Sequence, residues 1–131
     1  MHITQETDYA VRIVYCLANA TGRKDARTIS EEMGVTLRFS LKILHKLVQS
    51  GIVKSYKGSK GGYELARPAD QVNLKQVIEA IEGTYSLVKC IQPGYVCEWK
   101  KPGVVCSFRR EFSRISQKTN EELEKVTFDK L

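Results

Sequence analysis

The chain has 131 residues, 42% of them hydrophobic and 27% charged, with 21 Lys and Arg against 15 Asp and Glu for a formal net charge of +6. That length supplies one hydrophobic core and is short for two, which predicts one compact domain with a protruding element. No apolar run reaches bilayer length and the polar MHITQETDY start has no signal-peptide pattern, so a soluble cytoplasmic protein is expected, and its four cysteines read as reduced rather than as a disulfide framework.

Thr4 is placed to cap a first helix, Glu6 and Asp8 suit its positive N-terminal end, and Tyr9, Ile13, Val14 and Leu17 recur at helical spacing as a buried stripe. Cys16 belongs to this helix and reads as core packing. After the polar loop TGRKDAR, the stretch TISEEMG predicts a short helix with a Thr28/Glu31 capping box and Gly34 as its stop. The next helix starts at Thr36 in TLRFSLKILHKLVQSG and ends at Gly51, with Leu37, Leu41, Leu44 and Val48 expected on its buried face. Two helices joined by a tight Gly34-Val35 turn, the second one basic, form a helix-turn-helix with its recognition helix at 37–50.

Two β-prone runs follow in IVKSYKGSKGGYELARP, at 52–56 and 63–66, around a Gly/Lys/Ser loop that reads as a positively charged wing. The loop lacks the G-x-x-x-x-G-K-[ST] spacing of a nucleotide-phosphate site. Asn73 caps a further helix bearing Leu74, Val77, Ile78 and Ile81, stopped by Gly83 and expected to pack on the first helix. Next comes CIQPGYVCEWKKPGVVC, residues 90–106, in which Pro-Gly-x-Val-Cys occurs twice. Each copy predicts a turn followed by a thiol, because Pro presets φ for one turn position and Gly supplies positive φ for the next. From Ser107 onward a long helix carries Phe108, Phe112, Ile115, Thr119, Leu123 and Val126 along one stripe, more apolar surface than so small a domain covers, which points to a homodimer interface.

The fold class expected is therefore mainly α: a winged helix-turn-helix at 1–84 with a two-stranded β-wing, a cysteine-containing sensing loop at 85–106, and a dimerisation helix with a C-terminal tail at 107–131. The charge supports this division. Residues 33–63 hold no Asp or Glu but contain Arg38, Lys42, Lys46, Lys54, Lys57 and Lys60, which account for the whole net excess. An acid-free basic run of that length points to double-stranded DNA as partner. Off the leucine stripe the recognition helix presents Arg38, Phe39, Ser40, Lys42, Lys46 and Gln49. Base reading is assigned to Arg38 and Lys42, whose donors match guanine N7 and O6, and backbone contact to Thr36, Lys46, Lys54 and Ser55. Lys57 at the wing is assigned a minor-groove or phosphate contact, and Phe39 and Lys60 complete the DNA-binding set.

No Ser/His/Asp set, carboxylate pair or cofactor fingerprint accompanies these features, so an enzyme is not expected. Cys90, Cys97 and Cys106 fall within 17 residues, and thiolates are the soft ligands that iron and sulphide prefer. Three readings stay open on the residues alone: an iron-sulphur site, a thiol-redox switch, and zinc or no chemistry, with His2 and His45 distant in sequence from the triplet. Lys89, Lys100, Lys101 and Arg109 nearby would offset the negative charge of thiolates and cluster.

The TDYAVR start, the helix MGVTLRFSLKILHKL, the wing SYKGSKGGYELARP, the following VIEAIEG and the three clustered cysteines together resemble the IscR/NsrR/CymR type of winged-helix bacterial transcriptional regulator, the Rrf-two family, over nearly the full length. The resemblance implies a dimeric regulator in which Cys90, Cys97 and Cys106 hold an iron-sulphur cluster, 2Fe-2S or 4Fe-4S. IscR-like members place a histidine three positions after the last cysteine, where this chain has Arg109. NsrR-like members can use an aspartate in the first helix of the other subunit, and Asp8 stands at the matching position. The CymR-like alternative implies a cluster-free regulator controlled by thiol redox chemistry or by a partner enzyme. The family's base-reading pattern, a buried leucine followed by a polar residue, is replaced here by Ser40 and then Leu41.

Overall fold

The computed structural model describes residues 2–99 and 106–131. In chain order it contains α1 (Gln5–Ala18), α2 (Ala26–Met33), α3 (Leu37–Gln49), β1 (Val53–Tyr56), β2 (Gly62–Leu65), α4 (Leu74–Glu82) and α5 (Ser107–Lys125), with short 3-10 turns at Ala69–Gln71 and Lys89–Ile91. This is a mainly helical winged helix-turn-helix, as the residue pattern implies. Among the described residues no helix is long and apolar enough to cross a membrane.

Local chemistry accounts for most of the boundaries. Thr4 caps α1 by accepting from the Thr7 backbone N–H, and Thr36 caps α3 by accepting from that of Phe39. Asn73 and Gln76 form a reciprocal capping box at the start of α4. Gly34 ends α2 at φ 67°, a left-handed conformation that costs glycine little and lets α3 leave at a steep angle. The expected cap of α2 is displaced: Asp25, rather than Thr28, precedes the helix, and its carboxylate accepts from the Thr28 backbone N–H at 2.8 Å. Both residue types cap well, and starting at Ala26 adds a turn of helix ahead of Ile29, which is fully buried.

The core gathers Ala10, Ile13, Val14 and Leu17 of α1, Ile29 of α2, Ile43, Leu44 and Leu47 of α3, Ile52 and Val53 at the start of the wing, and Val72 and Val77 around α4. On α3 the buried face differs from the Leu37/Leu41/Leu44/Val48 stripe. Ser40 is fully buried while Leu41 is 45% exposed. The face centred on Ile43, Leu44 and Leu47 buries three large aliphatics and leaves Lys42 and His45 in solvent, so the tertiary fit rotates the helix away from the leucine spacing.

The wing pairs Val53 with Leu65, Lys54 with Glu64, Ser55 with Tyr63 and Tyr56 with Gly62 in an antiparallel register. Its base is held by the α1–α2 loop: Lys24 and Tyr63 exchange backbone hydrogen bonds at 3.0 and 2.8 Å. Gly62 has φ 137°, and a Cβ there would lie 2.7 Å from the Lys24 carbonyl oxygen, so this close approach requires glycine.

After α5 the chain turns back into the domain. Phe128 is 1% exposed and heads the fully buried side chains by size, its N–H donating to the Val72 carbonyl, while the Leu74 N–H donates to that of Val126. The tail beyond α5 therefore plugs the winged-helix core. Burying a phenylalanine contributes about 2–3 kcal/mol, and its removal leaves a cavity as well. Phe128→Ala should lower the unfolding free energy by about 3–5 kcal/mol, read as a reduced urea midpoint by circular dichroism.

Candidate nucleic-acid interface and cysteine pocket

Helix α3 presents Arg38, Phe39, Leu41, Lys42, His45 and Gln49 to solvent beside the exposed cap Thr36. Lys54 and Ser55 are exposed on β1, and Lys57 and Lys60 are exposed at the wing loop. Ser40, placed by its sequence among the outward residues, is removed from that face by burial. The two recognition-helix lysines are engaged within the fold: Lys46 Nζ lies 2.7 Å and Lys42 Nζ 3.6 Å from the same Glu6 Oε1 on α1. The hydrogen bond from Lys46 holds the Glu6 carboxyl below its ordinary range, so it is charged at neutral pH. Phe39 meets Tyr9 edge-on at 6.3 Å between ring centroids.

One basic residue of this surface escaped the sequence pattern. Arg23 stacks its guanidinium over the Tyr56 ring at 3.3 Å and donates to the Lys60 carbonyl at 3.4 Å, adding positive charge beside the loop end of the wing. The only signal for it was its place in the basic loop TGRKDAR.

The cysteines separate into two kinds. Cys16 is 4% exposed, and its thiol donates to Glu32 at 3.2 Å while Lys24, itself paired with Glu32, lies 3.7 Å from the sulphur. Burial first, and the Glu32 carboxylate second, push this thiol up from its usual range, so it is protonated and inert at neutral pH. Cys90, Cys97 and Cys106 are instead half-buried and together line one pocket of about 50 Å³ with Tyr95 and Arg109.

Each wall of that pocket has a local cause. Cys90 sits in the Lys89–Ile91 turn. The first Pro-Gly pair forms the expected reversal, with Gly94 at φ 80° and the Tyr95 N–H donating to the Gln92 carbonyl, which returns the chain toward Cys97. The second, at 102–103, and the neighbouring Lys100 and Lys101 lie outside the described residues. Cys106 is the N-cap of α5, its sulphur 3.5 Å from the Arg109 N–H. The positive end of a 19-residue helix and the Arg109 side chain thus face the same small space as three sulphurs, an arrangement that favours negative charge.

Three soft donors around one pocket suit an iron-sulphur cluster, which spreads its thiolates over several irons. Among the described residues no three His, Cys, Asp or Glu side chains come close enough to hold a single metal ion. Asp8 is not a wall of this pocket within one chain: it lies on α1, exposed and paired with Arg12 at 2.9 Å. Trp99, Phe108, Phe112 and Ile115, near the pocket and along α5, are 78, 62, 40 and 41% exposed.

These elements define a winged helix-turn-helix protein with a thiol-lined pocket at the foot of its long helix. Residues 3–131 match the Rrf2 family, described as iron-dependent transcriptional regulators, and the chain belongs to that family, one of regulators rather than enzymes. It is 34% identical over 97 residues to protein aau3 of Rhizobium meliloti, a match covering 73% of this chain and 63% of that protein. The chain thus spans about three fifths of the length of the first curated relatives it matches. Among solved structures it is similar to CymR, the global cysteine regulator of B. subtilis, with a TM-score of 0.77 at 24% identity over 98% of this chain and 94% of that one. It is also similar to T. potens IscR, with a TM-score of 0.77 at 20% identity over 98% and 84%. At these identities the two structures speak for the fold alone.

Alkylation should divide the thiols as burial divides them. In folded protein iodoacetamide is expected to modify Cys90, Cys97 and Cys106 and to spare Cys16 until urea unfolds the chain, as read by peptide mass spectrometry.

Proposed function

We propose that the protein is a dimeric, sequence-specific DNA-binding transcriptional repressor, acting in the cytoplasm, whose operator binding is controlled by an iron-sulphur cluster held by Cys90, Cys97 and Cys106. The observation that carries this reading is the convergence of those three thiols on one pocket at the N-terminus of α5, in a chain whose whole charge excess lies on the winged helix. When bound, the cluster supplies a centre that oxidants, nitric oxide or iron limitation can alter.

The chain's own residues do the rest. Arg38 and Lys42 read base edges in the major groove, and the exposed Leu41 adds an apolar contact suited to a thymine methyl. Thr36, Lys46, Lys54 and Ser55 grip the backbone, Phe39 lies against the groove wall, and Lys57 and Lys60 bring the wing to the minor groove or its phosphates. A second copy of the chain covers Phe108, Phe112 and Ile115 of α5, which sets the separation of the two recognition helices. In that dimer the fourth ligand is Asp8 of the partner subunit, drawn from its pairing with Arg12. Residues 1–84 then form the DNA-binding unit, 85–106 the sensing loop, and 107–131 the dimerisation helix with its tail. Any state preferred at the pocket moves the start of α5 and shifts the population of dimers with operator-compatible spacing.

A second reading, cluster-free control through thiol oxidation or a partner enzyme, draws support from the partial exposure of the same thiols and from the small size of the pocket. Anaerobic purification separates the two. The cluster reading expects a coloured protein with matching iron and sulphide, quenched emission from the single tryptophan Trp99, and loss of all three signals in Cys97→Ser; a colourless, iron-free wild type that binds its operator normally would favour the second.

For the DNA interface, Arg38→Ala should relax sequence preference in gel shifts, at about 1–3 kcal/mol for the base it reads, whereas Lys57→Ala should weaken all sequences alike. Unchanged preference in Arg38→Ala would remove that residue from base reading.

A further inference from the structure

The six basic residues assigned to DNA are not equally available. Lys42 and Lys46, one helical turn apart on α3, converge on one carboxylate oxygen of Glu6, at 3.6 and 2.7 Å. Glu6 sits in the first turn of α1, where the helix N-terminus favours its charge, and its side chain is 25% exposed against 56% for Lys42 and 32% for Lys46. A DNA phosphate approaching these lysines therefore meets a negative charge already seated between them. This is the one acidic group paired with the recognition helix among the described residues, and it comes from outside the acid-free segment.

We propose that Glu6 is an affinity-setting residue of the DNA interface, an internal stand-in for phosphate that competes with the DNA backbone for Lys46, the nearer of the two lysines at 2.7 Å. This rests on the DNA-binding reading above. Each phosphate neutralised releases condensed counterions, so a lysine occupied by Glu6 contributes less to affinity and to its salt dependence. Because Lys46 is assigned to the DNA backbone, this effect is common to every sequence: it keeps the protein off indifferent DNA, while the more distant Lys42, at 3.6 Å, stays with the base-reading side chains. Glu6 also lies two positions from Asp8 on the same helical turn, so movement of that turn would change how firmly the two lysines are held.

The test is Glu6→Gln, which keeps the size and one acceptor oxygen and removes the charge. Binding of full-length dimer to a mixed-sequence duplex is followed by fluorescence anisotropy between about 50 and 200 mM KCl. The expected result is roughly three- to tenfold tighter binding at the low-salt end and a log-log salt slope steeper by about one, for one further phosphate contact. In a Lys46→Gln background the gain from Glu6→Gln should shrink, because the two act through one another. If Glu6 merely braces α1 against α3, the variant will bind no tighter and keep the wild-type slope, which overturns the proposal while wild-type binding leaves the parent reading intact. A wild type that binds duplex without salt dependence would overturn both.

Discussion

Helix α5 is anchored at both ends, and the rest of the architecture depends on that double anchorage. At its start Cys106 is both the N-cap and a wall of the thiol pocket; past its end Phe128 is buried in the winged-helix core and hydrogen-bonded to Val72. Between them stand 19 helical residues, about 28 Å of stiff rod at 1.5 Å per residue. Since a packed core does not deform continuously, a displacement at Cys106 cannot be absorbed at Phe128 and must rotate the rod or the loop that feeds it. Ser116 Oγ and Asn120 Nδ2 bond to the backbone of Leu87 and Tyr85, which ties that loop to the middle of the rod.

The proposed DNA face is organised by charge balance rather than charge alone. Removing every acid from 33–63 gives the segment its positive field, yet Glu6 from α1 and Glu64 from β2, whose carboxylate accepts from Tyr56, stand at its borders. Both acids serve packing: one joins α1 to α3, the other joins the two wing strands. The Glu6 ion pairs contribute little to stability, so the main physical consequence of the two acids is on the potential that the proposed DNA partner would meet.

Much of this was legible in the sequence because the signals were local. Thr4, Thr36, Asn73, Gly34 and Gly83 mark helix ends through hydrogen bonds or backbone conformations that involve only near neighbours. The wing and the first Pro-Gly turn are of the same kind. The misreadings arose where two local solutions were nearly equal and the tertiary structure chose between them. Asp25 and Thr28 are both good caps. On α3 the rows Leu37/Leu41/Leu44/Val48 and Ser40/Ile43/Leu44/Leu47 share Leu44 and lie side by side, so spacing alone could not choose. Among the described residues the Ser40 hydroxyl has no hydrogen-bond partner, which is the expense of putting Ile43 and Leu47 into the core. Phe128 was invisible because a six-residue tail is too short to show a period.

The cysteine cluster shows how far composition reaches toward chemistry. Spacing grouped Cys90, Cys97 and Cys106 and set Cys16 apart, and the fold repeats that division through burial. The helix start at Ser107 was legible, but spacing did not reveal that the Cys106 side chain itself caps that helix. A thiol at an N-cap receives the field of the aligned peptide dipoles and a backbone N–H, and Arg109, one turn on, closes the same pocket. A histidine at 109 would add a ligand there; arginine adds positive charge and no lone pair, so the pocket within one chain is rich in compensation and short of donors. Under the cluster reading proposed above, that imbalance would make a carboxylate from a second subunit the complementary ligand and would link cluster binding to dimer geometry through one acidic side chain.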